Sequence, residues 1–218
     1  MRPFLLVLSS PSGGGKSTIA RHLLEARDDL GYSVSATTRA PRAGEENGTH
    51  YHFLSSREFS RREAAGEFVE TATYGGQRYG TLRAEVERVM AGGRHVILDI
   101  EVAGSRQVRE CFPDSVHVFV LPPSGLALSE RLRGRQTEAT SELVRRLGIA
   151  AGELESVRDY DYLVVNDDLV TAVDQVAAIL DAERGRVSRL VNLDVVVSKM
   201  RREVEAQQQK LNSKQPAG

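Results

Sequence analysis

The chain carries one cysteine, Cys111, and no tryptophan. A lone thiol excludes an intramolecular disulfide framework, and Cys111 is expected to serve as a small buried hydrophobe. The five histidines (His22, His50, His52, His95 and His117) show no repeated ligand spacing. His50 and His52 would merely share one face of a strand, so no zinc site is expected. No apolar run approaches the roughly 20 residues of a membrane span, and "FLLVL" near the start is too short for a signal-peptide core. The net charge of −1 gives no general basic field, so neither nucleic acid nor an anionic membrane is expected as partner. No His/Asp or Cys/His constellation stands ready for nucleophilic catalysis. These absences point to a soluble, cytoplasmic globular chain, and 218 residues of 40% hydrophobic content suffice for a substantial core.

What is present is concentrated in "LSSPSGGGKST", Leu8 to Thr18. The apolar run before it, Phe4 to Leu8, has the length of one buried parallel strand. Beyond Lys16, the apolar residues Ile19, Leu23 and Leu24 recur at helical spacing. Strand, glycine-rich turn and helix together hold phosphate: backbone N–H groups point at the anion and a lysine adds a full charge. The pattern G-x-x-x-x-G-K-[ST] is met at Gly15, Lys16 and Ser17, with Ser10 in place of the first glycine. That departure is tolerable where Ser10 has negative φ. Ser10, Pro11, Ser12, Gly13, Gly14, Gly15, Lys16, Ser17 and Thr18 are therefore the expected nucleotide-phosphate loop, with the Ser17 hydroxyl placed to ligate Mg²⁺.

Three further apolar runs, His95–Ile100, Val116–Leu121 and Tyr162–Asn166, alternate with helical patterns. The expected fold is α/β: a parallel sheet with helices on both faces, built from residues 1–30, 83–123 and 156–185. Two segments interrupt it. Residues 31–82 read as a β-rich insertion with a turn around Glu45–Gly48, and residues 124–155 as a helical, arginine-rich lid. Residues 186–218 form a helix-prone tail, and its end, "NSKQPAG", is expected to be disordered.

Asp99 closes an apolar strand, which suits a carboxylate that holds Mg²⁺ or its water. Arg39 and Arg42, with Tyr51 and Tyr79, suit a receptor for a second phosphate group. Arginines of the lid suit the charge that spreads over a transferring phosphoryl group, whereas Arg133 and Arg145 read as a solvated face. An acceptor that is itself a nucleotide monophosphate is largely dianionic at pH 7, since its second pKa is about 6. It needs positioning more than a general base, which accounts for the missing base.

With these motifs in order, the chain resembles the guanylate kinases. The resemblance runs from about Phe4 to Arg184 through "SSPSGGGKST", "SVSATTRAPRAGEENGTHYHFL", "GEFVE", "YGT", "VILDIE", "RLRGR", "RRL" and "YDYLVVND". It implies transfer of the ATP γ-phosphoryl group to GMP, with Mg²⁺ as cofactor and deoxy-GMP as a further acceptor. It implies guanine contacts at Ser35, Glu70, Thr81 and Glu101, and a GMP site that also takes in Arg39, Arg42, Tyr51, Tyr79 and Asp99. Lid arginines map onto Arg131, Arg135 and Arg146, and Asn166 onto the ATP base and sugar; Lys16, Arg42, Asp99, Arg135 and Arg146 form the catalytic set. Guanine presents adjacent N1–H and 2-NH₂ donors that a carboxylate such as Glu70 accepts together, and Thr81 can donate to O6.

Three positions depart from the family. Glu101 stands where Asp is frequent, Ala103 where Gln is common, and Gln136 where glycine is usual. The rivals are a kinase for another monophosphate, a catalytically silent scaffold, and a GTPase switch. Ser35, Glu70 and Thr81 speak against the first and intact Lys16 and Ser17 against the second; an absent Asn-Lys-x-Asp speaks against the third. In the tail, Leu190, Leu193, Val197, Met200, Val204 and Leu211 follow a heptad seam that Gln207 interrupts. The tail is expected either to fold back on its own chain or to join a homo-oligomer.

Overall fold

Residues 5–8, "LLVL", are apolar at every position, which a strand tolerates only with both faces covered. In the computed structural model, which describes residues 1–133 and 140–212, they form strand β1 (Leu5–Ser9). It lies at the centre of a five-stranded sheet with β2 (Leu30–Tyr32), β7 (His95–Asp99), β8 (Val116–Leu121) and β9 (Tyr162–Val165). The order is β2-β7-β1-β8-β9, and every pairing is parallel.

Alternation along β1 assigns the two faces. Leu6 and Leu8 meet Ile19 and Leu23 of α1 (Lys16–Ala26) and Val176 and Leu180 of α7 (Leu169–Arg184). Leu5 and Val7 meet Val86 and Val89 of α3 (Arg83–Ala91) and Val108 of α4 (Val102–Cys111). Each such side chain, fully withdrawn from water, contributes about 1.5–3 kcal/mol. The expected parallel sheet with helices on both faces is thus present.

Between β2 and α3 a second sheet forms from β3 (Ser35–Thr37), β4 (His52–Phe53), β5 (Phe68–Tyr74) and β6 (Gln77–Leu82), in the order β4-β3-β6-β5. It also includes a helix that the sequence reading did not predict, α2 (Ser56–Ala64), whose Phe59 stacks on Phe68 with ring centroids 4.5 Å apart. Helices α5 (Gly125–Arg133) and α6 (Thr140–Leu154) bury Leu128, Leu132 and Ala150 together. The lid's Arg135 and Gln136 lie outside the described residues.

Three expectations need correction. Strand β2 belongs to the parallel sheet, in register with β7 from Leu30↔His95 to Tyr32↔Ile97, so that sheet continues past residue 30. Gly31 permits this, since a Cβ there would lie 2.4 Å from Val89 Cγ1. Cys111 is exposed, its thiol donating to the Val69 carbonyl at 3.6 Å. His50 precedes β4 instead of sharing a strand face with His52. Arg145 does lie in the solvated face, with Nε 2.8 Å from Glu142.

Among the described residues, 1–2 and 181–212 form a separate unit. Within it Arg189 pairs with Glu183 at 3.1 Å, both buried, and the Arg2 N–H donates to the Arg189 carbonyl at 2.9 Å. Helix α8 (Leu193–Asn212) follows. Its seam residues Val197, Met200, Val204 and Leu211 are each more than half exposed, and Arg201 and Glu205 pair at 2.8 Å beside the seam. Of "NSKQPAG", the end expected to be disordered, Asn212 closes α8 and residues 213–218 lie outside the described residues.

Candidate active site

Parallel sheets place chemistry at the carboxyl ends of their strands. Here the Ser10–Ser17 loop follows β1, Asp99 ends β7, Asn166 follows β9 and Tyr32 ends β2. The loop turns through Gly13 and Gly15, at φ +91° and +98°, conformations open to glycine. Among the described non-glycine residues only Asn192 has positive φ, so Ser10 satisfies the condition its substitution imposed. The cost falls on the neighbour: a Cβ on Gly14 would lie 2.6 Å from Ser10 Cβ.

Lys16 opens α1, whose first turn carries no acidic residue and so presents uncancelled N–H groups and a positive dipole end. Its Nζ lies 3.1 Å from Glu101 Oε1 and 3.8 Å from Asp99 Oδ1. Burial alone would lower the ammonium pKa, but Glu101 and Asp99 outweigh it and hold the group above its ordinary value. Glu101, expected at guanine, reaches Lys16 in this structure.

Asn166 and Arg131, expected at the ATP base and in the lid, both bond at the loop. Asn166 Nδ2 donates to the Gly14 carbonyl at 2.9 Å, and Arg131 Nη2 donates to the Asn166 carbonyl at 2.9 Å. Arg146 Nη2 donates to Ser12 Oγ at 2.9 Å.

The second sheet supplies the other half. Antiparallel register sets Ser35 opposite Thr81 and Thr81 opposite Glu70. Thr81 Oγ1 donates to Glu70 Oε1 at 2.8 Å, which ties the two side chains together across the β5–β6 pair. Glu70 is 5% exposed. Burial pushes its carboxyl up, partly offset by the Thr81 hydrogen bonds. Gly104 makes room for it: a Cβ there would lie 2.5 Å from Glu70 Oε2.

Arg39 lies 5.5 Å from the Tyr51 ring centroid, and Tyr51 and Tyr79 meet edge to face at 6.1 Å. A residue the sequence reading missed, Glu45, pairs with Arg39 at 2.8 Å and accepts the Arg42 N–H at 2.7 Å. The Arg39 hydrogen bond, then that N–H, hold the Glu45 carboxyl down at about 2. Tyr32 was also missed; burial, then the Asp99 charge, push its phenol up to about 12. A cleft of about 430 Å³ is lined jointly by Lys16, Ser17, Asp99 and Glu101 and by Ser35, Arg39, Arg42, Tyr51, Glu70 and Tyr79. It can hold a phosphate-bearing aromatic ligand beside the phosphate loop.

Among the described residues no group of three or more His, Cys, Asp or Glu side chains could hold a metal ion. The exposed Ser17 hydroxyl and the Asp99 carboxylate are hard oxygen donors. Two of them suit a divalent cation that takes its remaining ligands from phosphates and water.

A protein-family model described as guanylate kinase matches residues 2–183. A guanylate kinase of Symbiobacterium thermophilum is 49% identical over 185 residues, 85% of this chain and 88% of the relative. One from Clostridioides difficile is 40% identical over 200 residues, 92% and 97% of the two chains. The crystal structure of guanylate kinase from Anaplasma phagocytophilum superposes with a TM-score of 0.74 at 35% identity, covering 91% of this chain and 95% of that one. The chain belongs to the guanylate kinase family, phosphotransferases that act on GMP and need a divalent metal.

Proposed function

We propose that this chain transfers the γ-phosphoryl group of ATP to GMP, and to deoxy-GMP, with Mg²⁺ as the metal. The observation that carries this reading is the single cleft in which the phosphate loop and the Glu70 cluster face each other. Lys16 and the α1 N-terminus neutralise the transferring phosphates. Arg39, Arg42, Tyr51 and Tyr79 take the acceptor phosphate. Glu70, oriented by Thr81, accepts the N1–H and 2-NH₂ of guanine, and Ser35 lies beside them. Ser17 and Asp99 hold the metal, which neutralises phosphate charge when bound. Arg131 and Arg146 reach the loop through Asn166 and Ser12, and Arg135 completes the lid set from outside the described residues. Among the described residues no helix is long and apolar enough to cross a membrane.

A panel of monophosphates incubated with ATP and Mg²⁺ tests the reading. ADP should form rapidly with GMP and deoxy-GMP and at least ~10²-fold more slowly with AMP or UMP, since mispaired buried polar groups discriminate strongly. Chelation of the metal should abolish turnover, and added Mg²⁺ should restore it. Wild-type protein that gives no GDP from GMP refutes the assignment.

The tail has its own proposed role, a homo-oligomer contact through the exposed α8 seam. Removing residues 193–218 keeps the Arg189–Glu183 pair and should lower the mass seen by light scattering, with activity per chain retained. An unchanged mass means that α8 is not the contact.

A further inference from the structure

Strand β5 is the outer strand of the second sheet, whose order is β4-β3-β6-β5. An outer strand leaves a row of N–H and C=O groups without a strand partner. The ladder of β5 is also irregular beside the site. Phe68 faces Leu82 and Glu70 faces Thr81, so two steps along β5 meet one along β6. Val69 is the extra residue of a β-bulge, which re-aims the side chain next to it. Here that neighbour is Glu70.

Helix α4 closes the open edge on both sides of Glu70. After it, the Thr71 N–H donates to Gln107 Oε1 at 3.0 Å, and Gln107 Nε2 donates to the Thr71 carbonyl at 2.9 Å. One side-chain amide thus supplies the acceptor and the donor that a further strand would have supplied. Before it, the Cys111 thiol donates to the carbonyl of the bulged Val69 at 3.6 Å, a weaker bond. Gln107 and Cys111 are four residues apart and so lie on one face of α4. Gln107 Nε2 also reaches the Ala103 carbonyl at 3.4 Å, one turn back. The same helix makes room for the Glu70 carboxylate at Gly104, so a single element sets both its space and its direction. We infer that Gln107 is a positioning residue for guanine selection: by pairing both backbone groups of Thr71 it fixes the bulged segment that aims Glu70 into the cleft. In this role it acts through the Thr71 backbone and touches no nucleotide.

The inference rests on reading Glu70 as the acceptor for guanine. The wild-type preference for GMP over inosine monophosphate, which lacks the 2-NH₂, is therefore measured first, and its absence would remove that reading. Gln107→Met fills the same space with a good helix former and offers neither bond. It should raise KM for GMP about tenfold and narrow the GMP-over-inosine ratio of kcat/KM about threefold, as expected when hydrogen bonds behind a binding group are lost. KM for ATP should stay within about twofold, a split that general loss of structure would not produce. Gln107→Asn, one methylene too short to span both groups, should behave like Met and serves where Met fails to fold. In a Glu70→Gln background, Gln107→Met should add nothing further to KM for GMP, because the two residues act as a unit. Hydrogen exchange at the Thr71 amide should quicken at least ~10-fold in Gln107→Met, since an edge N–H without its partner opens to solvent. That rate does not depend on guanine, so it separates a failed brace from a failed reading of Glu70. Unchanged exchange, equal losses for ATP and GMP, or a fully multiplied loss in the double variant would each overturn the positioning role.

Discussion

Lys16→Met should lower kcat by at least ~10²-fold, the order seen when one preorganised donor to a transition state is removed. Methionine matches the length of the lysine stem and fills its buried place, so the change isolates the charge. The Lys16 ammonium sits 3.1 Å from Glu101 and 3.8 Å from Asp99 and is held firmly protonated by them. That arrangement orients the cation before the phosphates arrive, and it sets a second consequence. Without the lysine the two carboxylates repel one another next to an incoming polyanion, so ATP affinity should fall along with kcat. Steady-state kinetics on folded protein, checked by circular dichroism, decides the point. Near-normal turnover would remove Lys16 from the catalytic set.

Glu70→Gln should cost roughly 10- to 100-fold in kcat/KM for GMP, the equivalent of about 1.5–3 kcal/mol for lost charge-assisted hydrogen bonds. The amide keeps the shape that Gly104 makes room for and can keep the Thr81 bond through its oxygen. Its NH₂ then faces the two donors of guanine. The wild-type carboxyl is raised by burial, which fixes the sign of a pH effect. As pH falls, Glu70 takes up a proton earlier than an ordinary glutamate and loses its accepting charge. The acid limb of kcat/KM for GMP should accordingly lie above the usual carboxylate range in the wild type and be missing in Glu70→Gln. A variant that prefers GMP over AMP as strongly as the wild type would show that guanine is read elsewhere.

Much of the parallel sheet was legible because β1, β7 and β8 are continuous apolar runs, a pattern that follows from burial on both faces. Strand β2 was not, since "LGY" is three residues with a glycine at the centre. Helix α2 buries only Phe59 among nine residues, too little for periodicity to register. Its start could have been read, for Ser55 accepts the Glu58 N–H, the S-x-x-E spacing of a capping box. In the site, the residue types on the loop and at Asp99 announce phosphate chemistry by their order. Glu45 and Tyr32 do not, because their partners are brought to them by the fold. Thr81 shows the same limit: only the β5–β6 register brings its hydroxyl against Glu70.

The hydrogen bond from Asn166 to Gly14 joins residues 152 positions apart, and the Asn166 amide nitrogen stands where a Cβ on Gly15 would fall, 2.2 Å away. On the ribosome the two are made at very different times. A nascent chain that has emerged through α6 already displays all of Ser10–Ser17, yet it lacks the side chain that props the loop. Competence to bind the triphosphate therefore arrives late in synthesis, when β9 joins the edge of the sheet. Fragments released before that point carry the phosphate motif intact but without the amide that props it.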